Sequence, residues 1–323
     1  MRWLYENITM NSIFLTILIS TIVLRGLTVF SDVKQRKSSL KMAAIQPEIQ
    51  KIQAKYKDDP RKGQQEQSKL MKERGVSMLS GCLPTLITFP LFFCFIAAFR
   101  FWGYEQNVFM LLEMDQNVTV AVADGKSANE AEVSKAFLNS KFLWINSIWQ
   151  PDNGTSPVVM PFEMFYKTPN MQKLIYFKEN PEALQKFYDW GFIAKDGETQ
   201  TEAQLTEAQR KYDELTTPLI NQYKGYNNGW FVLPVLAAAL QFLYAFLTQR
   251  AQQKMAGAAQ QQQPGGKLML YLFPVMSFFF CLTANAAFSL YWTLSSLLML
   301  IINFVINWAM ARQEKNNTPQ VNG

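Results

Sequence analysis

Arg25 is the residue whose chemistry most needs explaining. It follows an apolar run from Ser12 to Leu24 that carries a few hydroxyls, and the run resumes as Gly26-Leu27-Thr28-Val29-Phe30. At a rise of about 1.5 Å per residue, a helix over residues 12–30 is about 28 Å long, close to the thickness of a bilayer's hydrocarbon core. A guanidinium keeps its charge there, so it must reach water, a phosphate or an internal polar partner. Two arrangements satisfy it: snorkelling from near a helix end to the headgroups, or facing a water-filled cavity inside a membrane bundle. Polar groups that could line such a cavity are Thr21, one turn earlier, and Gln241, Ser289 and Thr293 in later apolar segments. Such a set solvates polar groups inside a membrane; it breaks no bond.

Other chemistry finds little support. Histidine is absent, which removes His-based acid–base catalysis and most zinc sites. The three cysteines, Cys82, Cys94 and Cys281, lie in or beside apolar segments, and none falls within 105–228, so no disulfide framework follows. A Ser/Lys or carboxylate enzyme stays open on composition alone. The polar stretches, however, carry no Gly-rich phosphate loop, metal cluster or nucleophile elbow. No enzyme, metal or cofactor is expected.

The elements that must position Arg25 are apolar segments separated by polar ones. Five windows are nearly free of charge: 12–30, 83–103, 229–248, 268–283 and 286–309. This pattern predicts an all-α polytopic membrane protein with one membrane domain and one large polar insertion. The first window is too long for a signal peptide and ends in Arg25 and a basic tail, so it reads as a retained span. Residues 31–75 hold twelve Lys/Arg against six Asp/Glu, whereas 105–228 hold eleven against seventeen. Residues 249–267 hold three basic residues and no acidic one. Basic loops on the inside place the N-terminus outside, 31–82 in the cytoplasm, 105–228 outside, and 249–267 and the C-terminus in the cytoplasm. The net charge of +6 then reflects topology and gives no reason to expect DNA binding.

The expected organisation is an external interfacial lead (1–11), span 1 (12–30), a cytoplasmic helical hairpin (31–82) and span 2 (83–104). A mostly helical extracytoplasmic insertion (105–228) follows, then span 3 (229–248), a flexible cytoplasmic loop (249–267), span 4 (268–283), span 5 (286–309) and a cytoplasmic tail (310–323). Within the hairpin, Ile45, Ile49, Ile52 and Tyr56 form one apolar stripe, which either holds two arms together or serves a partner. Pro47 should lie near a helix start or at a bend. Asp58-Asp59-Pro60 reads as a stop, a cap and an N1 proline, with a second helix ending at Gly75. Its basic charge suits a large anionic partner, such as a ribosome or headgroups.

Gly81 and Pro84 open span 2 and Pro90 lies within it. In the insertion, helices are expected from Lys126 through Phe137, from Pro181 behind an Asn180 cap, and over Thr201 to Leu215, with a turn at Pro151-Asp152-Asn153-Gly154. Phe162, Phe165, Tyr166, Tyr176 and Trp190 offer the core of a small helical cap. Pro234 sits in the outer half of span 3 and Pro274 in span 4. The block from Leu268 to Met310 is too long for one crossing, and Thr283-Ala284-Asn285-Ala286 is where it must fold back. Asn303 and Asn307 share a face of span 5 and could bond across helices.

These segments together resemble the YidC family of membrane insertases, with mitochondrial and chloroplast relatives, and in style its short bacterial members. The resemblance rests on Thr21-Ile22-Val23-Leu24-Arg25, on Met42 to Pro60, on Gly81-Cys82-Leu83-Pro84 through Pro90-Leu91-Phe92-Phe93, and on Leu290-Tyr291-Trp292, in that order. It implies five spans around a hydrophilic groove, open to the cytoplasm and to lipid, with Arg25 in the position of the groove's arginine. Thr88 stands where that family commonly has Gln. The implied function is insertion and folding of integral membrane proteins at the bacterial cell membrane, alone or with the Sec translocon. Implied partners are nascent membrane proteins, the lipid bilayer, and the ribosome or signal-recognition machinery. An insertion of this length between spans 2 and 3, and Ala284-Asn285-Ala286-Ala287 in place of a Pro-containing turn, depart from the pattern. The competing readings are an anion transporter or channel, which lacks support from paired broken helices, and a non-catalytic assembly scaffold.

Overall fold

A computed structural model describes residues 1–76, 83–195, 198–223, 226–256 and 264–317. Every regular element among them is helical: α1 (Arg2–Asn7), α2 (Ile13–Lys55), α3 (Pro60–Glu73), α4 (Leu83–Ala123), α5 (Lys135–Leu138), α6 (Phe162–Tyr166), α7 (Ile175–Glu179), α8 (Pro181–Asp189), α9 (Glu202–Gln222), α10 (Val232–Ala256), α11 (Pro264–Thr283) and α12 (Ala286–Asn317). Ile13–Ser31, Val232–Ala251 and Ala286–Ala309 are long and apolar enough to cross a membrane, and Leu270–Thr283 is a shorter apolar helix. The chain is a polytopic helical membrane protein. It divides into two compact units: Met1–Ile17, Phe95–Pro234 and Phe280–Leu290 form an insertion unit, and Leu18–Cys94, Val235–Phe279 and Tyr291–Gly323 form a span unit.

The insertion unit is built on a continuous apolar core. The helix that starts at Leu83 does not stop near 104 but runs to Ala123, because Val108, Leu111, Met114, Val118 and Ala121 extend one buried stripe beyond the apolar window. Against it pack Phe162, Phe165, Phe177, Phe187, Phe192 and Tyr212, with Tyr166, Tyr176 and Trp190 at the margin. Rings meet mostly edge to face or tilted, edge to face at Phe177–Phe187 (5.1 Å) and Phe165–Phe192 (5.9 Å). The buried Tyr212 hydroxyl donates to the Met160 carbonyl at 2.6 Å. The long helix expected from Lys126 is absent. Gly125, at φ +75°, ends α4, and only one 3-10 turn (Ala128–Glu130) and the four residues of α5 form, too short a run to nucleate more. Asn180 stands at the N-cap of α8 but donates backward to the Tyr176 carbonyl (2.9 Å) instead of accepting from α8. Thr201 caps α9 as expected.

One carboxylate anchors the start of α10. Asp152 is fully buried; Oδ1 accepts the Trp230 N–H (2.6 Å), and Oδ2 accepts the Leu233 N–H (2.8 Å) and the Trp144 indole N–H (3.2 Å). Its charge is met by orphan N–H groups at a helix N-terminus. Gly229, at φ +79°, leaves the room, because a Cβ there would overlap the Asp152 carboxylate. The fold-back expected near Asn285 is present and is held by the insertion. Ala286 N–H donates to Gln150 O (3.0 Å) and Ala287 N–H to Ile148 O (2.9 Å), filling the first free donors of α12. Asn285 caps the same helix by accepting from Phe288 N–H, and its amide donates to Phe99 O, both at 3.0 Å.

In the span unit, α2 continues without a break from its apolar half into the basic segment. Pro47 lies within it, at neither a start nor a stop. One backbone bond is lost there, but Ile45 and Ile49 on either side are buried against Met71 and Val76, so packing keeps the helix intact. Asp59 caps α3 by accepting from Lys62 N–H (3.1 Å). The helix ends in a Schellman pair, Val76 N–H to Met71 O (2.8 Å) and Gly75 N–H to Lys72 O (3.1 Å), with Gly75 at φ +62°.

Candidate functional site

Arg25 lies on α2, with Thr21 one turn earlier on the same face. The guanidinium is half-buried, and its Nε–H donates to Ser295 Oγ on α12 at 2.6 Å. Among the described residues no carboxylate comes within ion-pair distance of it. Ser295 is 1% exposed and also hydrogen-bonds Tyr291, one turn away. A permanent charge in an apolar helix is therefore met here by a neutral hydroxyl. That arrangement softens its desolvation but leaves it uncompensated.

A second polar rung joins α10 to α12. Gln241 Nε2 donates to Ser296 Oγ (3.1 Å), whose hydroxyl donates to Trp292 O (2.8 Å). Seven residues further on, Asn303 Nδ2 donates to Thr248 Oγ1 (3.3 Å), and Asn307 reaches Asn303 (3.3 Å). The pairing advances by seven on both helices, so α10 and α12 run parallel, with the period of a left-handed seam. The cross-helix bonding expected of Asn303 and Asn307 is thus realised at Asn303. Thr293, Ser295 and Ser296 are buried within one turn of α12, with Ser295 bonded to Arg25 and Ser296 to Gln241. On α2, Thr21 is fully buried and the Ser20 hydroxyl is buried with no hydrogen-bond partner among the described residues.

The remaining expected positions fall as follows. Ser289 belongs to the insertion unit, where its hydroxyl donates to Cys281 O (2.9 Å) and so ties α12 to α11. Thr88, Pro84 and Pro90 lie in α4, with side chains outside the described residues, and Gly81 is outside them altogether. Pro234 and Pro274 are buried within helices, Tyr291 is buried and Trp292 half-buried. In the hairpin, Ile45 and Ile49 are buried against α3, so this part of the stripe holds the arms together; Ile52 and Tyr56 are half-buried. Tyr56 rests on Gly63, with the Lys55 and Lys62 ammonium groups 5.4 and 5.8 Å from its ring centre. Arg74 grips Glu48 with both carboxylate oxygens at 2.9 and 3.0 Å. Asp59 and Pro60 keep their roles as cap and first helical residue. Ser295 and Ser296 were missing from the expected site. The signal for them was present in the hydroxyl-rich run of α12, but a sequence does not say which hydroxyls face another helix.

A half-buried arginine bonded to a hydroxyl-bearing helix defines a membrane protein with polar groups among its apolar helices. The chain belongs to the 60Kd inner membrane protein family, whose model matches residues 3–314. It is 34% identical to the membrane protein insertase YidC of Clostridium perfringens over 138 residues, 43% of this chain and 44% of that protein. It is 24% identical to the membrane protein insertase YidC of Treponema denticola over 296 residues, 92% of this chain and 34% of that one. With the protein of that name from Chlorobaculum parvum it shares 40% over 99 residues, 31% of this chain and 16% of that one. The matched regions thus span less than half the length of each of these relatives.

Proposed function

We propose that this chain is a membrane protein insertase: it lowers the barrier for a polar segment to enter the bilayer beside an apolar helix. The observation that carries the reading is Arg25, a fixed charge inside an apolar helix whose hydrogen-bond partner among the described residues is the neutral Ser295 hydroxyl. The names of its relatives support the same reading. Arg25, Thr21, Gln241 and Thr293, joined by Ser295 and Ser296, line a hydrated groove.

An incoming helix brings its polar flank into the groove, where the guanidinium, water and hydroxyls replace part of the bulk solvation. Transfer of the apolar helix into lipid drives the step at about 25 cal/mol per Å². An acidic flank is attracted to Arg25, but no fixed ion pair forms, so release stays fast. The chain itself makes and breaks no covalent bond. Five spans carry the groove in the cell membrane, with α4 supplying the second and α11 the fourth; the parallel course of α10 and α12 supports a return crossing between them. The bias of basic residues supports an external N-terminus and insertion, and a cytoplasmic hairpin and C-terminus. The hairpin offers the basic surface for a ribosome or signal-recognition partner, and the Sec translocon is the further partner.

Purified protein in liposomes tests the reading with short hydrophobic substrates of differing flanks. Wild type should accelerate insertion over empty vesicles without solute flux. Arg25→Ala should slow polar-flanked substrates about tenfold, equivalent to ~1.4 kcal/mol of barrier. Arg25→Lys should retain most of the rate if charge alone matters. Equal rates for all three proteins would remove Arg25 from the mechanism, and saturable anion uptake without insertion would make this a transporter.

A further inference from the structure

We infer that the tight turn Phe142–Ile145 of the insertion is a lipid-inserting anchor that dips into the headgroup layer on the insertion's side of the membrane. Phe142 and Ile145 exchange both backbone hydrogen bonds (2.9 and 2.8 Å), closing the turn on itself. Leu143, at its tip, holds φ +49° and is 70% exposed. A leucine in the left-handed region is uncommon, and a turn position of this kind in water is normally taken by Gly or Asn. Here an apolar side chain is held outward by a conformation that opposes it. An apolar environment outside the protein explains both.

Two neighbours identify that environment as lipid. The Phe142 ring stacks on Phe14 at 5.3 Å and an interplanar angle of 16°, and Phe14 lies at the start of the apolar segment Ile13–Ser31. Trp144, on the other side of the tip, donates to Asp152, the carboxylate that also accepts from Leu233 N–H in the first turn of α10. The turn therefore touches the first residues of one membrane-crossing helix and shares an anchor with the first residues of another. Its apolar tip continues their lipid-facing surface. Depth follows from the backbone: among the described residues the Leu143 and Trp144 backbone groups have no hydrogen-bond partner, which hydrocarbon would not tolerate. An indole and the exposed Lys141 flank the tip, and both residue types favour the headgroup region.

The test uses the full chain with Cys82, Cys94 and Cys281 replaced by alanine, reconstituted in phosphatidylethanolamine/phosphatidylglycerol vesicles. An NBD fluorophore is attached at Leu143→Cys or, as a reference beyond the end of α4, at Asn129→Cys. The probe at 143 should be quenched at least twofold more by lipids bearing a nitroxide near the headgroup than the probe at 129, with blue-shifted emission. Red emission open to iodide at both positions would overturn the anchor. So would blue emission that lipid nitroxides leave unquenched, because a protein would then cover the tip. Should the cysteine-free chain fail to fold, the wild type answers through a diazirine carried on lipid headgroups. Crosslinks on residues 142–144 are expected, and their absence beside labelled span residues would refute the anchor.

Discussion

The two units differ in what holds their helices. The insertion unit buries aromatic and aliphatic side chains around Phe165, Phe187 and Tyr212, and its polar joints are fully satisfied at Asp152 and Asn285. In the span unit, α2, α10 and α12 are joined through hydroxyls and amides: Arg25–Ser295, Gln241–Ser296 and Asn303–Thr248. A packed core of the first kind has one low-energy arrangement. Neutral polar bonds between membrane helices contribute only about 0.6 kcal/mol each on average, so they can be exchanged for other partners. The contrast assigns permanence to the insertion unit and exchange to the span unit, which suits the proposed passage of a substrate helix.

The strongest way to break that contrast is to open the insertion core. Phe165→Ala should cost about 4 kcal/mol, read as a drop in the unfolding midpoint and faster amide exchange in α6, α8 and α9. Exchange around Gln241 and Asn303 should stay unchanged; equal loosening of both regions would show one cooperative body. Asp152→Ala strands three donors and should cost about 3 kcal/mol, with exchange appearing first at Trp230 to Leu233. Gln241→Leu should move stability by no more than about 1 kcal/mol while slowing release of a crosslinkable substrate; a larger loss of stability would make that rung structural.

The smallest expected effect is a change of slope with pH. Burial raises the Glu105 carboxyl above the usual glutamate range, outweighing the opposing effect of Arg2 at 3.4 Å and of the Tyr176 N–H at 3.1 Å. The folded form therefore holds that proton more tightly than the unfolded chain. The contribution of Glu105 to stability is fully present below the ordinary glutamate value and is lost as pH rises through the raised one. Glu105→Gln should flatten the decline in thermal midpoint over that window, and an unchanged slope would assign the decline to other groups.

Much of this was legible in the residues, where the signal was local. Asp59-Pro60, Gly75, Thr201 and the break at Asn285 each announce a helix boundary by their own chemistry, and each is where the structure puts it. Arg25 stood out because an uncompensated charge in an apolar run is costly wherever it points. What was hidden depends on contacts between distant segments. Pro47 is not at a helix start, one of its two expected places, because the burial of Ile45 and Ile49 that carries α2 through it is tertiary. The extension of α4 was written in the stripe from Val108 to Ala121, yet loss of the apolar window at 104 masked it. The Asn180 side chain turned to Tyr176 because a nearby carbonyl competed for it. The pairing of Arg25 with Ser295 was beyond reach, since Thr293, Ser295 and Ser296 are equally hydroxyl-bearing and only packing selects among them.

The claim on which the functional reading rests is that water reaches the face of α2 that carries Arg25. Thiol reactivity reports this directly, because the thiolate that attacks a maleimide forms only in contact with water. In the cysteine-free chain in vesicles, Arg25→Cys should react with a small water-soluble maleimide. Leu27→Cys, two residues on and 75% exposed on the bare protein, should stay unreactive in lipid. Labelling at 25 and not at 27 is the predicted result; an inert cysteine at 25, or equal reactivity at both, would contradict a hydrated recess inside the bundle.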